Sequence, residues 1–316
     1  MKNGIIYHPD SQNIGDDIQT YAASLIVKDP VFCNREMLDK ITDETKLLCS
    51  GWFMHNAQHW PPSKFVKPLF ESFHISGLEK GCAEKMTDSI SLKNFKQHEP
   101  IGCRDYFTVE LLKSNGINAF FTGCLTLSIP IYTGEKNDQI IVVNLLRSNY
   151  TSDYRNIINK HLIPSKYRGK IKYISHFSSS IPSKDQNTRM KDVKDLLEQY
   201  GKAKLVITSL IHCALPCVAM GTPVIFIDFG FNNSHVNRDR FKGITDMFEV
   251  YSNIDMPLIG RDIFSKGARF LGLHRLFTSG MKPLPEELFE YSEIKTNHTS
   301  LVNEMKGRIN KFFENK

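Results

Sequence analysis

Residues 204–227, Lys-Leu-Val-Ile-Thr-Ser-Leu-Ile-His-Cys-Ala-Leu-Pro-Cys-Val-Ala-Met-Gly-Thr-Pro-Val-Ile-Phe-Ile, are compatible with very few folds. A β-branched run at 205–208 stops at Ser209, and a compact helix follows as far as Met220. Gly221 and Pro223 end that helix, and a second β run opens at Val224. Two short strands joined by one helix make a parallel βαβ unit, the repeating piece of a doubly wound sheet. His212 falls in the first turn of the helix, at the carboxyl end of the incoming strand. Ligands of open parallel sheets bind there, and the free N–H groups of a helix start favour an anion. A histidine in this place is a candidate acid or base, with a packing histidine as the equal alternative.

The same alternation runs along most of the 316 residues. In the first part the pattern predicts strands at 4–8, 31–33, 46–50, 100–103 and 118–122. Helices are expected at 87–97 and 105–114, and another is capped by Asp16 or Asp17, with Ile18, Ala22, Leu25 and Ile26 as its apolar stripe. After Pro130, Gly134 and Asn137 the pattern restarts with a strand at 139–146 that is apolar on both faces. A helix at 153–162, a strand at 170–175 and a helix at 187–200 follow, the last with Met190, Val193, Leu196, Leu197 and Tyr200 inward. The expected architecture is therefore α/β, with two doubly wound, Rossmann-like domains of ~150 residues each. Their bounds are read as 1–132 and 133–275, with a helical tail over 276–316 packing back on the domains. The tail's last helix, at 300–313, puts Leu301, Met305, Ile309 and Phe312 on one face. Residues 261–277 mix basic and large apolar side chains and suit peripheral contact with a membrane interface.

Apolar residues make up 41% and charged residues 23% of the chain, the balance of an ordinary globular protein. A net charge of +6 suits a small anionic substrate or an anionic membrane surface. No basic–aromatic stripe or reader motif points to nucleic acid. The seven cysteines include no Cys-x-x-Cys pair, which reads as reduced thiols of a cytosolic protein. Cys213 and Cys217, one helical turn apart, read as small buried residues rather than a metal pair. The N-terminal residues enter a strand without a signal-peptide apolar region, and His212, Pro216, Gly221 and Pro223 interrupt the longest apolar stretch. The expected location is cytoplasmic, at most peripheral to the inner face of the membrane.

Four places that follow predicted strands could carry chemistry. Asn13-Ile-Gly15-Asp16-Asp17 combines a tight turn with two carboxylates, one more than capping requires. Gly51-Trp52-Phe53-Met54-His55-Asn56, followed by Trp60-Pro61-Pro62, holds both tryptophans of the protein beside two histidines. That pairing suits a platform for a sugar ring, whose apolar face stacks on indole. Gly102-Cys103-Arg104-Asp105 turns from a strand into a helix, where a structural Arg–Asp pair is as good a reading as substrate contact. The last group joins Asn144, Arg147, Ser209 and His212 with a 228–240 loop containing Asn232, Asn233, His235, Arg238 and Arg240. Guanidinium groups clamp carboxylates and phosphates, so this group describes an anion site facing a polyol site in the first domain.

Taken in order, these residues resemble the polysaccharide pyruvyl transferase family. The resemblance runs through Asn13-x-Gly15-Asp16-Asp17, Gly51-Trp52-Phe53, and Pro100-Ile-Gly-Cys-Arg104-Asp105 with Thr108 and Leu112. It continues through Gly116-Ile117, Thr122-Gly123-Cys124-Leu125-Thr126-Leu127, Thr208-Ser209-x-Ile211-His212, the apolar run from Cys213 to Phe226, and Arg240-Phe241. It implies two domains similar to those of B-type glycosyltransferases, acceptor side first and donor side second, with a cleft between them. It also implies phosphoenolpyruvate as co-substrate and ketal pyruvylation of a saccharide or lipid-linked glycan precursor of the cell surface, a scheme that requires no cofactor or metal. Set in that chemistry, the residues singled out above take these expected roles: His212, Asp16 and Asp17 for proton transfer. Arg147, Ser209, Arg238, Arg240, Asn144 and Arg104 would hold the donor, and Trp52, His55, Asn56, Trp60 and Asn13 the acceptor. One departure stands out: the family's Ser-Arg-Leu-His reads Ser209-Leu210-Ile211-His212 here. Arg147, Arg238 and Arg240 are the candidates to replace the lost arginine. A nucleotide-sugar glycosyltransferase, with Asp228 as its one obvious ribose ligand, remains an alternative, as does a non-catalytic glycan-binding relative.

Overall fold

The alternating pattern resolves into two all-parallel sheets in a computed structural model that describes residues 1–77, 79–145, 159–228, 241–252 and 282–314. The first sheet contains β1 (Lys2–Tyr7), β2 (Val31–Asn34), β3 (Thr45–Phe53), β4 (Val66–Ile75), β5 (Ile101–Cys103) and β6 (Ala119–Phe121). Their spatial order is β2-β1-β3-β4-β5-β6. Four helices belong to this part: α1 (Ile14–Ser24), α2 (Cys82–Met86), α3 (Ser89–Gln97) and α4 (Tyr106–Ser114). The second sheet contains β7 (Ile140–Val143), β8 (Ile171–Ile174), β9 (Leu205–Thr208), β10 (Val224–Ile227) and β11 (Glu249–Tyr251), in the order β11-β10-β9-β7-β8. Helices α5 (Gln186–Lys202) and α6 (Ile211–Met220) connect its strands, and α7 (Thr299–Glu314) is the last helix described. Most of the helix expected at 153–162, and all of 261–277, lie outside the described residues.

Local chemistry explains the helix ends. Asp88 and Asp105 cap α3 and α4 by accepting from the N–H groups of Ser91 and Thr108. At α1 the cap is Asn13, whose side chain accepts from Gly15 N at 3.0 Å, and neither Asp16 nor Asp17 has that role. Helix α6 ends at Gly221 in the left-handed region, φ 70°, which lacks a side-chain penalty only for glycine.

Two elements depart from the expected pattern. Strand β3 continues through Gly51-Trp52-Phe53, with a register shift between Cys49 and Gly51, so this motif is a strand end rather than a free loop. Strand β4 was not anticipated, because Pro68, Glu71 and Ser72 interrupt its apolar run. Glu71 is nevertheless buried, since Arg308 of α7 grips both carboxylate oxygens at 2.8 and 3.0 Å. The same helix buries Val302, Met305 and Ile309, and Lys46 of β3 donates 3.1 Å to the Phe312 carbonyl at its end.

One core is shared by the two parts. Ile18 and Ala22 of α1 pack with Cys213, Leu215 and Cys217 of α6, with Tyr200 of α5 and with the apolar face of α7. The opposite face of the first sheet has its own aromatic core, and the outer face of the second sheet a third. Among the described residues no helix is long and apolar enough to cross a membrane.

Candidate active site

The carboxyl ends of the two sheets meet where α1 and α6 begin. Ile14 N donates to the His176 carbonyl at 2.9 Å, and Ser178 N to that of Gln12 at 2.9 Å, so the loops after β1 and β8 are laced together. A Cβ added at Gly15 would stand 3.1 Å from the His212 Cβ, so the glycine lets the first turns of α1 and α6 approach closely with neither giving way. Half-buried Asp16 and His212 therefore flank one rim. Ser11 Oγ donates to Asp16 at 2.6 Å and Gln19 Nε2 at 3.2 Å. Two helix N-termini abut here, and their free N–H groups and dipoles favour an anion.

Several expected site residues have other work. Asp17 is buried in an ion pair with Arg189, whose Nη2 and Nε lie 2.8 and 3.1 Å from its carboxylate. Burial pushes the Asp17 carboxyl up to about 6 against the pull of Arg189. It is a joint between α1 and α5 rather than an accessible base. Ser209 donates into the Leu145 and Ile227 carbonyls at 3.0 and 2.9 Å, tying together the ends of β7, β9 and β10. Buried Asn144 accepts from His176 N at 2.7 Å and fixes the end of β7 against that of β8. Asn13 uses its side chain as the α1 cap, and Asn56 uses its own to accept from Gln58 N at 3.2 Å.

The tryptophans separate. Trp60 is 2% exposed and packs among Phe53, Phe70, Phe73 and Phe95, so it is a core residue and not a sugar platform. Trp52 is half-buried, with the His55 ring centroid 4.5 Å away and the Arg35 guanidinium 4.9 Å above its ring. His55 itself is exposed and lies 3.2 Å from Glu79. Arg147, Arg238 and Arg240 lie outside the described residues.

At the end of β5, Arg104 is 1% exposed. Its Nε stands 3.5 Å from Asp105, too long for a strong hydrogen bond, and its Nη1 has no acceptor among the described residues. Asp105 is held elsewhere: by His74 Nδ1 at 2.6 Å and by both the N–H and the hydroxyl of Thr108 at 3.0 Å. Burial alone would raise the Asp105 carboxyl, but His74 and Arg104 hold it below its usual range. Two nitrogens of this buried guanidinium are thus left without an acceptor among the described residues, a costly state for a charged donor.

Sequence reading missed four residues of this rim: His8, Gln19, Arg35 and Arg189. Each is buried, and the two arginines are placed by partners distant in sequence. Arg35 donates to the Trp52 carbonyl at 2.9 Å and to Glu36, and Arg189 donates to the carbonyls of His8 and Pro9, each at 2.8 Å. The only available signal for the first two was position: His8 directly follows β1, and Gln19 lies one turn beyond the Asn13 motif. Among the described residues no three His, Cys, Asp or Glu side chains form a metal-binding group.

Residues 84–229 match the model of the polysaccharide pyruvyl transferase family, a family of transferases. No curated protein matches the chain. Among solved structures, an uncharacterised protein from Klebsiella pneumoniae is similar at 12% identity and a TM-score of 0.46, over 79% of this chain and 93% of the other. MnaA of S. aureus, solved with UDP, is similar at 11% identity and 0.40, over 98% and 97%. The wall teichoic acid polymerase TagF is similar at 9% identity and 0.35, over 99% and 90%.

Proposed function

We propose that this chain is a pyruvyl transferase that uses phosphoenolpyruvate to place a ketal on a saccharide of a surface-glycan precursor, free or lipid-linked. One observation carries the proposal: within the segment that matches the family, Arg104 offers a buried, open guanidinium at the carboxyl end of a parallel strand. Phosphoenolpyruvate supplies the complementary carboxylate and phosphate. A charge-assisted contact of this kind contributes roughly 1.5–3 kcal/mol.

The proposed roles follow from the chemistry. His212 protonates the methylene carbon, making the phosphate-bearing carbon cationic and open to a sugar hydroxyl; near neutral pH an imidazole can give and later accept a proton. Arg104 and the abutting starts of α1 and α6 hold the donor's anionic groups, and Asp16 orients the reacting groups from the rim. Half-buried Trp52 offers a ring for the acceptor sugar. Leu210 is half-buried and contributes no charge to the donor.

Thermal unfolding with phosphoenolpyruvate, set against UDP-, GDP- and CMP-sugars, tests this. The expected result is stabilisation by phosphoenolpyruvate alone, about 2.7 kcal/mol at 100 times its dissociation constant, cut to roughly 0.3–1.3 kcal/mol at the same concentration by Arg104→Met. Stabilisation by a nucleotide sugar instead would move the chain to the glycosyltransferases.

A further inference from the structure

A ketal bridges two hydroxyls, so its enzyme must bind a diol and relieve it of protons. Neither aspartate of the Asn13 motif is well placed for this, since Asp17 is locked to Arg189 and Asp16 already accepts from Ser11 and Gln19. Two other polar atoms at the same rim stand buried with no partner among the described residues: Nδ1 of His8 and Oε1 of Gln19. Both residues are only 3% exposed. Both look toward the 51–55 segment at the end of β3: the charges of Arg35, which donates to the Trp52 carbonyl, and of His55 act on His8, and Gln19 lies against Gly51. A Cβ at Gly51 would stand 2.7 Å from Gln19 Oε1, so this glycine makes room for the amide.

We propose that His8 and Gln19 form the floor of a diol-binding acceptor subsite, in which His8 Nδ1 takes the proton of the attacking hydroxyl and Gln19 Oε1 accepts from its neighbour. The inference rests on the phosphoenolpyruvate reading. In the step, the hydroxyl O–H bond breaks and its proton goes to His8. The oxygen's electron pair forms a C–O bond to the donor carbon whose methylene has been protonated. Phosphate then leaves with the C–O electron pair, and the second hydroxyl closes the ring. Of the two hydroxyl protons, one balances the methyl group and the other leaves with hydrogen phosphate. A cationic carbon needs only a weak base, because the hydroxyl becomes acidic as the C–O bond forms.

The surroundings of His8 fit a base that waits neutral. Burial first, then the positive charges of Arg35 and Arg189 and the nearby His55, hold its pKa well below 6.5. The facing carboxylates are already paired, Glu36 with Arg35 and Asp17 with Arg189.

The test uses the full chain with methyl galactoside, glucoside and mannoside, each with its 4- and 6-hydroxyls free or blocked as a benzylidene acetal. Binding is followed by saturation-transfer NMR without donor, and turnover by phosphate release with phosphoenolpyruvate. At least one free diol is expected to bind while its blocked form does not. Gln19→Leu should weaken that binding about tenfold. His8→Gln should bind within about threefold of wild type yet release phosphate at least ~100-fold more slowly. His8→Asn serves as a second, smaller replacement. Diol binding untouched by Gln19→Leu, no diol binding at all, or undiminished turnover in both His8 variants would each overturn the proposal. If phosphoenolpyruvate fails to stabilise the wild type, the donor reading falls alone, and the binding arm still decides the floor.

Discussion

The seam between α1 and α5 and the rim at the end of β5 each contain a 1%-exposed arginine, in opposite surroundings. At the seam, Arg189 meets Asp17, the Tyr7 hydroxyl at 3.0 Å and the carbonyls of His8 and Pro9. At the rim, Arg104 has one loose contact with Asp105, whose oxygens already serve His74 and Thr108. Desolvating a guanidinium is costly in both places, and only at the seam do nearby groups offset the cost. Burial therefore does not by itself mark a residue as structural. The state of its hydrogen-bonding groups separates a joint from a receptor, and that difference can be attacked by mutation.

The largest effect is expected at the seam. Arg189→Met leaves Asp17 buried and alone, and urea unfolding should show a loss of about 3–5 kcal/mol. Arg104→Met removes an uncompensated charge, so the same melt without ligand should stay within about 1 kcal/mol of wild type or rise. It should instead forfeit about 1.4–2.4 of the roughly 2.7 kcal/mol that phosphoenolpyruvate supplies at 100 times the wild-type dissociation constant. Equal losses of stability in both variants would erase the contrast.

A pH series sharpens it further. His8 has a depressed pKa in the fold, so below pH 6.5 the unfolded chain takes up a proton that the folded chain refuses. Its contribution is present above pH 6.5 and is lost as the solution is acidified, by up to about 1.4 kcal/mol per pH unit. Asp17, raised to about 6, works in the opposite sense: its contribution is full below pH 3.8 and is lost as pH rises through 6. The measurement is thus the difference between wild type and His8→Gln, which should grow as pH falls from 6.5. A flat difference would mean that His8 titrates alike in both states. The smallest effect is expected from Leu210→Arg: with Arg104 in place, phosphoenolpyruvate affinity should change less than tenfold, about 1.4 kcal/mol. A gain of two decades would show that the donor site lacks a cation.

The sequence made the scaffold legible wherever one element carries its own explanation. The strand–helix–strand unit at 204–227 and its Gly221 stop are local chemistry, and each appears where its residues require. Strand β4 was not legible, because Glu71 is buried only through Arg308, 237 residues away. For the same reason Trp60 could pass for a sugar platform: nothing local announces that Phe70, Phe73 and Phe95 will close around it. The approach of His212 to Gly15 was legible only as two separate motifs after two strands. Arg189, which the helical stripe of α5 left out in favour of Met190, points inward because its partner belongs to the other part of the chain.

The lacing of the two parts has a mechanical consequence. Two rigid bodies pinned at one point keep three rotations; pinned at two, they keep one. The first pin is the cluster of Gln12, Ile14, Gly15 and Asp17 against Ser178, His176, His212 and Arg189. The second is α7, which follows the second sheet in the chain yet clamps Glu71 through Arg308 and Lys46 through its last carbonyls. While both hold, with a shared core packed beside them, any relative movement of the sheets is confined to a tilt about the line that joins the pins.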